Sequence, residues 1–194
     1  MCIRDRLEAV GLPHQQGELE LAPGLENDEF ADVLVSRVAF LPSVPETPSQ
    51  SAKINHSEAQ LTARLAAAVY RQYEASNSGF NSALTLGVIT PYRSQIALIK
   101  SEIAALGIPV LNDILVDTVE RFQGSERDVI IYSFCVNRTY QLKFLANLTE
   151  EKGVWIDRKL NVALTRARKQ LFMTGVPHLL RQNPIYADLL DTVL

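Results

Sequence analysis

Short apolar runs alternate along this chain with longer segments in which apolar residues recur every three or four positions. The run at 128–136, DVIIYSFCV, is the most restrictive, because it is apolar on both faces of a strand. Such a strand lies in the middle of a parallel sheet whose two faces are both covered. The pattern therefore predicts an α/β fold with a parallel sheet and helices on both faces.

The same periodicity predicts the individual elements. Strand character is found over 33–40, 84–90, 114–119, 128–136 and 171–174. Helical periodicity is found over 58–73, from 91 to about 106, over 157–169 and from 177 onward. Thr90 followed by Pro91 predicts the N-cap and first residue of the second helix.

Composition fits one domain without an obvious self-contained catalytic site. The 194 residues are 47% hydrophobic and 21% charged, and none of the apolar runs reaches the roughly 18–20 residues of a membrane span. The two cysteines predict no disulfide framework, so we expect a cytoplasmic protein. The glycines form neither a Walker A loop nor a G-x-G-x-x-G fingerprint, and the three histidines have no metal-ligand spacing.

Charge is unevenly distributed. Residues 1–60 hold 4 Lys and Arg against 10 Asp and Glu, whereas residues 61–194 hold 15 against 12. The acidic and Pro/Gly-punctuated segment 1–30 is predicted to be poorly structured, and its opening MCIRDR to be an artefact of sequence assembly. The folded domain is predicted to span 31–194.

Three segments carry candidate functional residues, each with an unremarkable alternative. ITPYRSQ at 89–95 predicts a helix start that could seat a phosphate, or simply a capped helix. In VDTVERFQGSERDVIIYS at 116–133, the Glu126 carboxylate beside Gly124 could accept a ribose diol, or belong to a solvated ion-pair cluster.

The third segment, DRKLNVALTRARKQL at 157–171, concentrates five positive charges between 158 and 169. On a continuous helix, Asn161, Thr165 and Arg168 would share one side, with Arg166 on another. A phosphate clamp and a solvated basic face both remain open from the residues alone. Trp155, just before this segment, is predicted to be a core anchor rather than a base-stacking residue.

Taken in order, the three segments closely resemble the last motifs of superfamily 1 helicases. The branch resembled contains the nonsense-mediated-decay helicase, senataxin and bacterial relatives, and the match runs over about 33–190. It includes a preceding K-x-N-x-x-E-A element, present here as Lys53, Asn55, Glu58 and Ala59. The resemblance implies the second, C-terminal RecA-like domain (a P-loop NTPase-type fold) of a chain truncated at its N-terminus, with an intracellular and bacterial origin.

The resemblance also implies roles for particular residues. Arg166 would be an arginine finger for the γ-phosphate of ATP, with Arg168 close behind, and Asn161 and Arg158 would brace its helix. Glu126 would hold the ribose, while Gln123 and Gly124 would shape the loop that couples ATP to the bound strand. Single-stranded DNA or RNA would be contacted through its backbone by Thr90, Pro91, Tyr92, Asp117 and Thr118.

The chain also departs from the resembled family. It lacks the Walker A lysine, the acidic Mg²⁺ motif and the Q-Y-R-M-H-P element. ATP and Mg²⁺ would therefore be bound mainly by the N-terminal RecA-like domain of the parent chain, and we expect no metal site in these residues. The fragment alone is predicted to be inactive. The alternative is a stand-alone, non-catalytic module that binds nucleic acid or protein; a hydrolase in its own right has no supporting pattern.

Overall fold

A five-stranded parallel sheet forms the centre of the computed structural model, which describes residues 19–47, 52–151 and 153–194. The strands are β1 (Val38–Pro42), β2 (Leu86–Ile89), β3 (Leu115–Asp117), β4 (Arg127–Ser133), β5 (Leu148–Glu151), β6 (Val154–Asp157) and β7 (Ala167–Gly175). The order in the parallel sheet is β1-β7-β4-β2-β3, and a separate antiparallel hairpin pairs β5 with β6. The last five residues of β4 are buried, as predicted for a central strand.

Helices cover both faces of this sheet. They are α1 (Ala31–Val35), α2 (His56–Ala75), α3 (Arg93–Ala105), α4 (Leu142–Leu145), α5 (Arg158–Leu164), α6 (Pro177–Leu180) and α7 (Pro184–Val193). One core packs α2 and α3 against the sheet through residues such as Leu65 and Ile99. The other packs α5, α7 and the 3-10 turn Val119–Phe122 through residues such as Phe122 and Tyr186. The predicted α/β fold with two covered faces is confirmed.

Residues 19–30 are packed against the domain, contrary to the prediction for the segment 1–30. Ala22, Leu25 and Phe30 are buried in the core on the α2 side of the sheet. Gln72 of α2 holds this segment by accepting a hydrogen bond from the Ala22 amide and donating one to the Glu20 carbonyl. Residues 1–18, including MCIRDR, lie outside the described residues.

The predicted first residues of one strand and one helix are wrong. The strand predicted over 33–40 is divided between α1 and β1, because residues 31–35 form a turn of helix that buries Leu34. Thr90 is not the N-cap of α3, which begins at Arg93 after Tyr92. The Thr90 amide instead donates to the Asp117 carbonyl at 3.2 Å, so Thr90 extends the pairing of β2 with β3.

The helix predicted over 157–169 ends earlier. It covers Arg158–Leu164, and the chain enters β7 at Ala167. The prediction that Arg168 shares a helical side with Asn161 and Thr165 is therefore wrong. Pairing with β4 overrides the local helical periodicity here, because it satisfies the backbone groups of a central strand.

The prediction that Trp155 is a core anchor is also wrong. Trp155 lies on β6, in a hairpin that the apolar pattern did not reveal, and its side chain is 60% exposed. The neighbouring Ile156 provides the buried contact of that strand. Successive side chains on a strand point to opposite faces, so only one of the two can face the core.

Within the described ranges, no helix combines the length and apolar character needed to cross a membrane.

Candidate functional site

The predicted site residues fall at two opposite ends of the sheet. Gln123, Gly124, Glu126 and Arg166 precede the amino ends of β4 and β7. Thr90 to Tyr92, Asp117 and Thr118 lie at or beyond the carboxyl ends of β2 and β3. Because all five strands are parallel, the first group shares one end of the sheet and the second group shares the other.

At the amino end, backbone pairing brings the Glu126 segment to Arg166. The Arg127 amide donates to the Arg166 carbonyl at 2.9 Å, so residues adjacent to 127 and 166 are neighbours. Gly124 has a φ of +81°, a left-handed conformation that favours glycine and turns the chain just before β4. The Glu126 and Gln123 side chains are exposed, so both are accessible to a ligand at this end.

The Arg166 guanidinium is held by neutral groups. Its Nε donates to the Val162 carbonyl at 3.3 Å and its Nη2 to the Thr165 hydroxyl at 3.0 Å. Arg166 makes no ion pair with any carboxylate in the part of the chain that the structure describes. These contacts position the side chain without neutralising it, so its charge is available to an anion.

Arg168 is placed differently. Its guanidinium bonds to Asp128 Oδ1, with Nε at 3.0 Å and Nη2 at 2.9 Å. A shift in the β4–β7 register sets Asp128 opposite both Arg168 and Lys169, whose Nζ lies 2.9 Å from Asp128 Oδ2. The structure therefore does not place Arg168 beside Arg166 as a second unpaired cation.

At the carboxyl end, Thr90, Asp117 and Thr118 form a compact group. Asp117 Oδ1 accepts from the Thr118 amide at 2.8 Å. The Thr90 hydroxyl oxygen is buried and has no hydrogen-bond partner among the described residues. Pro91 and Tyr92 continue from Thr90, and the Tyr92 hydroxyl accepts from Gln141 Nε2 at 3.2 Å. Burial raises the pKa of Tyr92 from its ordinary value, so this hydroxyl is un-ionised.

The helix leading to Arg166 is anchored by a residue that the sequence reasoning gave no site role. Asp157 caps α5 by accepting from the Lys159 amide at 3.0 Å and the Leu160 amide at 3.3 Å. Its second oxygen accepts from the Tyr186 hydroxyl at 2.5 Å. The signal for this role was an acidic residue directly before a helical run. The Asn161 carbonyl accepts from the Thr165 amide at 3.1 Å, a main-chain helical bond that does not involve the Asn161 side chain.

Glu58, which the sequence placed in the K-x-N-x-x-E-A element without a role, is a second such residue. It is fully buried and accepts 2.8 Å hydrogen bonds from the Ser133 hydroxyl and the Cys135 amide. Weaker 3.4 Å contacts reach Ser43 and Thr174, so it joins the carboxyl ends of β1, β4 and β7. Burial outweighs these hydrogen bonds and raises the pKa of Glu58 to about 7.

A comparison with protein families identifies the domain. A family model described as "AAA domain" matches residues 26–178, from before α1 to the start of α6. The chain belongs to this AAA domain family. The matched region of the AAA domain contains both ends of the sheet described above, and with them every predicted site residue.

Curated relatives of this AAA domain are helicases. The chain is 32% identical over 148 residues to "DNA replication ATP-dependent helicase/nuclease JHS1" of Arabidopsis thaliana, covering 76% of this chain and 10% of that protein. It is 36% identical over 110 residues to "Helicase sen1" of Schizosaccharomyces pombe, covering 56% and 6%. It is 36% identical over 117 residues to "RNA helicase Mov10l1" of Mus musculus, covering 57% and 9%. The chain is thus a helicase-type domain that spans a tenth or less of these three relatives.

Proposed function

We propose that this chain is the second, C-terminal motor domain of an ATP-dependent superfamily 1 helicase. It uses the amino end of its sheet for nucleotide and the carboxyl end for a single strand of DNA or RNA. The observation that carries the proposal is the Arg166 guanidinium, held by neutral oxygens beside the Glu126 segment. An unneutralised arginine next to an exposed carboxylate suits the phosphate and ribose of one nucleotide.

The residues at the amino end of the sheet suit ATP that is bound jointly with the first motor domain of the parent chain. Bound ATP supplies the phosphoryl group for hydrolysis, and its Mg²⁺ would be held mainly by the first motor domain of the parent chain. Arg166 would stabilise negative charge on the γ-phosphate, a role worth roughly 10³–10⁵ in rate. Glu126 would accept hydrogen bonds from ribose hydroxyls, and Arg168 would support Arg166 by fixing the start of β7 on Asp128.

The residues at the carboxyl end fit the backbone of a single strand. Asp117 and Thr118 present carboxylate and hydroxyl oxygens, and the buried Thr90 would position them through the bond from its amide to the Asp117 carbonyl. Pro91 and Tyr92 extend the surface toward α3. Contacts of this type do not depend on base sequence. A motor that moves along a strand requires such sequence-independent contacts. The names of the relatives include both a DNA and an RNA helicase, so the proposal covers either nucleic acid.

A single segment connects the two ends. The chain leaves β3 at Asp117, crosses the sheet as the 3-10 turn Val119–Phe122, and reaches Gln123 and Gly124 before β4. A movement of the nucleic-acid strand bound at Thr118 would therefore be transmitted over only six residues to Gly124 at the nucleotide end. We propose that this segment couples hydrolysis to strand movement in the assembled helicase.

The test is steady-state ATP hydrolysis by the parent protein carrying Arg166→Ala. We expect turnover stimulated by single-stranded nucleic acid to fall by roughly 10³-fold or more, with ATP affinity unchanged within about 3-fold, because an arginine finger acts on the transition state. Arg181→Ala is the matched control, since Arg181 is an exposed arginine paired with Asp191 in the α6–α7 region. Full turnover in the Arg166 variant would show that Arg166 is not the arginine finger.

A further inference from the structure

Arg127 is a partly buried cation that directly follows Glu126 at the amino end of the sheet. It makes no ion pair with a carboxylate of residues 19–47, 52–151 or 153–194, and its buried Nε has no hydrogen-bond partner there. Burial and the positive charge of Arg168 lower the pKa of Arg127 from its ordinary value. An unpaired cation that is partly removed from water costs free energy, so other contacts must compensate for the lost solvation.

A carbonyl and an aromatic ring hold the Arg127 guanidinium in place. Its Nη1 donates to the Glu126 carbonyl at 2.8 Å. Its Cζ lies 5.9 Å from the centroid of the Phe122 ring, which is a cation–π distance. Phe122 is fully buried, and its ring lies where a side chain at Gly87 would be, so packing fixes the ring. The guanidinium therefore joins a fixed ring to the main chain of Glu126.

The loop between Phe122 and Arg127 spans only residues 123–126. Near its start, the Ser125 amide and hydroxyl both donate to the Phe122 carbonyl, at 3.0 and 3.3 Å. The Glu126 carboxylate is exposed and makes no hydrogen bond or ion pair in the part of the chain that the structure describes. The position of this carboxylate therefore depends on the main chain of the loop, which the Arg127 contacts fix at its far end.

We propose that Arg127 is a positioning residue for the ribose contact of Glu126. The inference rests on the proposed function, in which Glu126 accepts hydrogen bonds from the ribose hydroxyls. Because Arg127 fixes the Glu126 carbonyl to the Phe122 ring, it restricts the directions in which the exposed carboxylate can point. A carboxylate that is already held in place loses less conformational freedom when it binds a ribose diol. Arg127 thereby increases the preference for a nucleotide with ribose hydroxyls without touching the nucleotide.

The test compares ATP with 2′,3′-dideoxy-ATP, which has no ribose hydroxyls, as substrates of the parent protein. The ratio of the two kcat/KM values measures discrimination by the ribose contact. We expect the unmodified protein to favour ATP by about 10-fold or more, because the hydroxyls bond to a charged group. We expect Arg127→Met to reduce this ratio by about 3-fold, since methionine keeps an apolar stem but neither the charge nor the donor.

Glu126→Ala shows whether Arg127 acts through Glu126. This variant is expected to lose the preference for ATP, because it removes the carboxylate. The double variant Arg127→Met/Glu126→Ala is expected to match Glu126→Ala in kcat/KM for ATP, because a positioning residue acts only through the group that it positions.

Arg64→Met is the matched control for the loss of an arginine over a ring. The Arg64 guanidinium lies 5.7 Å from the centroid of the Phe30 ring, but on the α2 side of the sheet. We expect this variant to keep the ratio of the unmodified protein. Thermal unfolding verifies that each variant is folded. If Arg127→Met does not fold, Arg127→Lys replaces it, because lysine keeps the charge but lacks the planar fork that bonds the carbonyl while stacked on the ring.

Three results would overturn the inference. If Arg127→Met slows the hydrolysis of both nucleotides equally, the residue has only a structural role. If the double variant has a lower kcat/KM for ATP than Glu126→Ala, Arg127 acts through another group. If Glu126→Ala keeps the preference for ATP, the ribose role of Glu126 is wrong and the inference fails with it. The arginine-finger role of Arg166 is tested separately by Arg166→Ala, so its failure is distinguishable from all three.

Discussion

At the amino end of the sheet, two arginines that are close in sequence differ in whether they pair with a carboxylate. Among the residues that the structure describes, the Arg168 guanidinium is paired with Asp128, whereas the Arg166 guanidinium bonds to a carbonyl and a hydroxyl and to no carboxylate. An arginine already paired with a carboxylate must break that pair before it can bind a phosphate. The resemblance implied that Arg168 lies close behind Arg166 in the same site, and the difference in their pairing follows from where Asp128 lies.

Glu58 makes the stability of the domain depend on pH. Its pKa of about 7 exceeds the ordinary value of 4.5, so the folded state retains a proton that the unfolded state has lost between these values. The free energy of unfolding is therefore expected to fall as pH rises from 4.5 to 7, by about 3 kcal/mol from this group. Below pH 4.5 both states are protonated and the contribution is fully present.

The measurement is urea unfolding of the 194-residue chain and of Glu58→Gln at pH values between 4.5 and 7.5. The glutamine retains a carbonyl oxygen for the Ser133 hydroxyl and the Cys135 amide but does not titrate. We expect the difference in unfolding free energy between the two proteins to change by about 3 kcal/mol across this range. A constant difference would show that Glu58 does not titrate there.

At the level of elements, two helices are capped by asparagine in different surroundings. Asn55 Oδ1 accepts from the Glu58 amide at 2.8 Å, and Asn55 Nδ2 donates to the Val44 carbonyl and to Asn137 Oδ1. Asn55 is fully buried. Asn183 caps α7 with one 2.9 Å bond to the Ile185 amide and is partly exposed.

We expect Asn55→Ala to lower the free energy of unfolding by about 3 kcal/mol and Asn183→Ala by about 1 kcal/mol. Both lose a cap worth about 1 kcal/mol, but Asn55→Ala also removes the two hydrogen bonds that Asn55 Nδ2 donates to the Val44 carbonyl and to Asn137 Oδ1. Urea unfolding of the two variants at one pH measures both values. Equal losses would show that the network around Asn55 does not add to the cap.

The crossing segment between β3 and β4 depends on a close approach to the sheet. A Cβ added to Gly87 of β2 would lie 2.6 Å from the ring of Phe122, which is fully buried. Only glycine at this position lets the 3-10 turn Val119–Phe122 lie directly on the strand. This contact fixes the segment that links the two ends of the sheet.

At the level of the whole molecule, the two ends of one parallel sheet have different proposed ligands. The proposed nucleotide end supplies one arginine and one carboxylate, which would form one side of a site shared with another domain. We expect the purified 194-residue chain to show no ATP hydrolysis above background, with or without single-stranded nucleic acid. A phosphate-release assay measures this, and hydrolysis that disappears in Arg166→Ala would contradict the prediction.

The sequence by itself determined the layers of the fold and the candidate residues. A strand apolar on both faces and helical stripes of apolar residues are local patterns, and they correctly predicted a parallel sheet covered on both sides. The motif segments at 89–95, 116–133 and 157–171 also supplied every predicted site residue at the two ends, although their roles remain predictions.

Only the tertiary structure decided where elements end and which charges meet. The end of α5, the exposure of Trp155 and the packing of residues 19–30 all contradict local patterns. Asp128 and Arg168 are 40 residues apart in the chain, and their pairing follows from the register of β4 on β7. The local periodicity of apolar residues predicts only the type of element to which a residue belongs. Strand register and burial depend on contacts between distant segments, so they could not be derived from the sequence of any one segment.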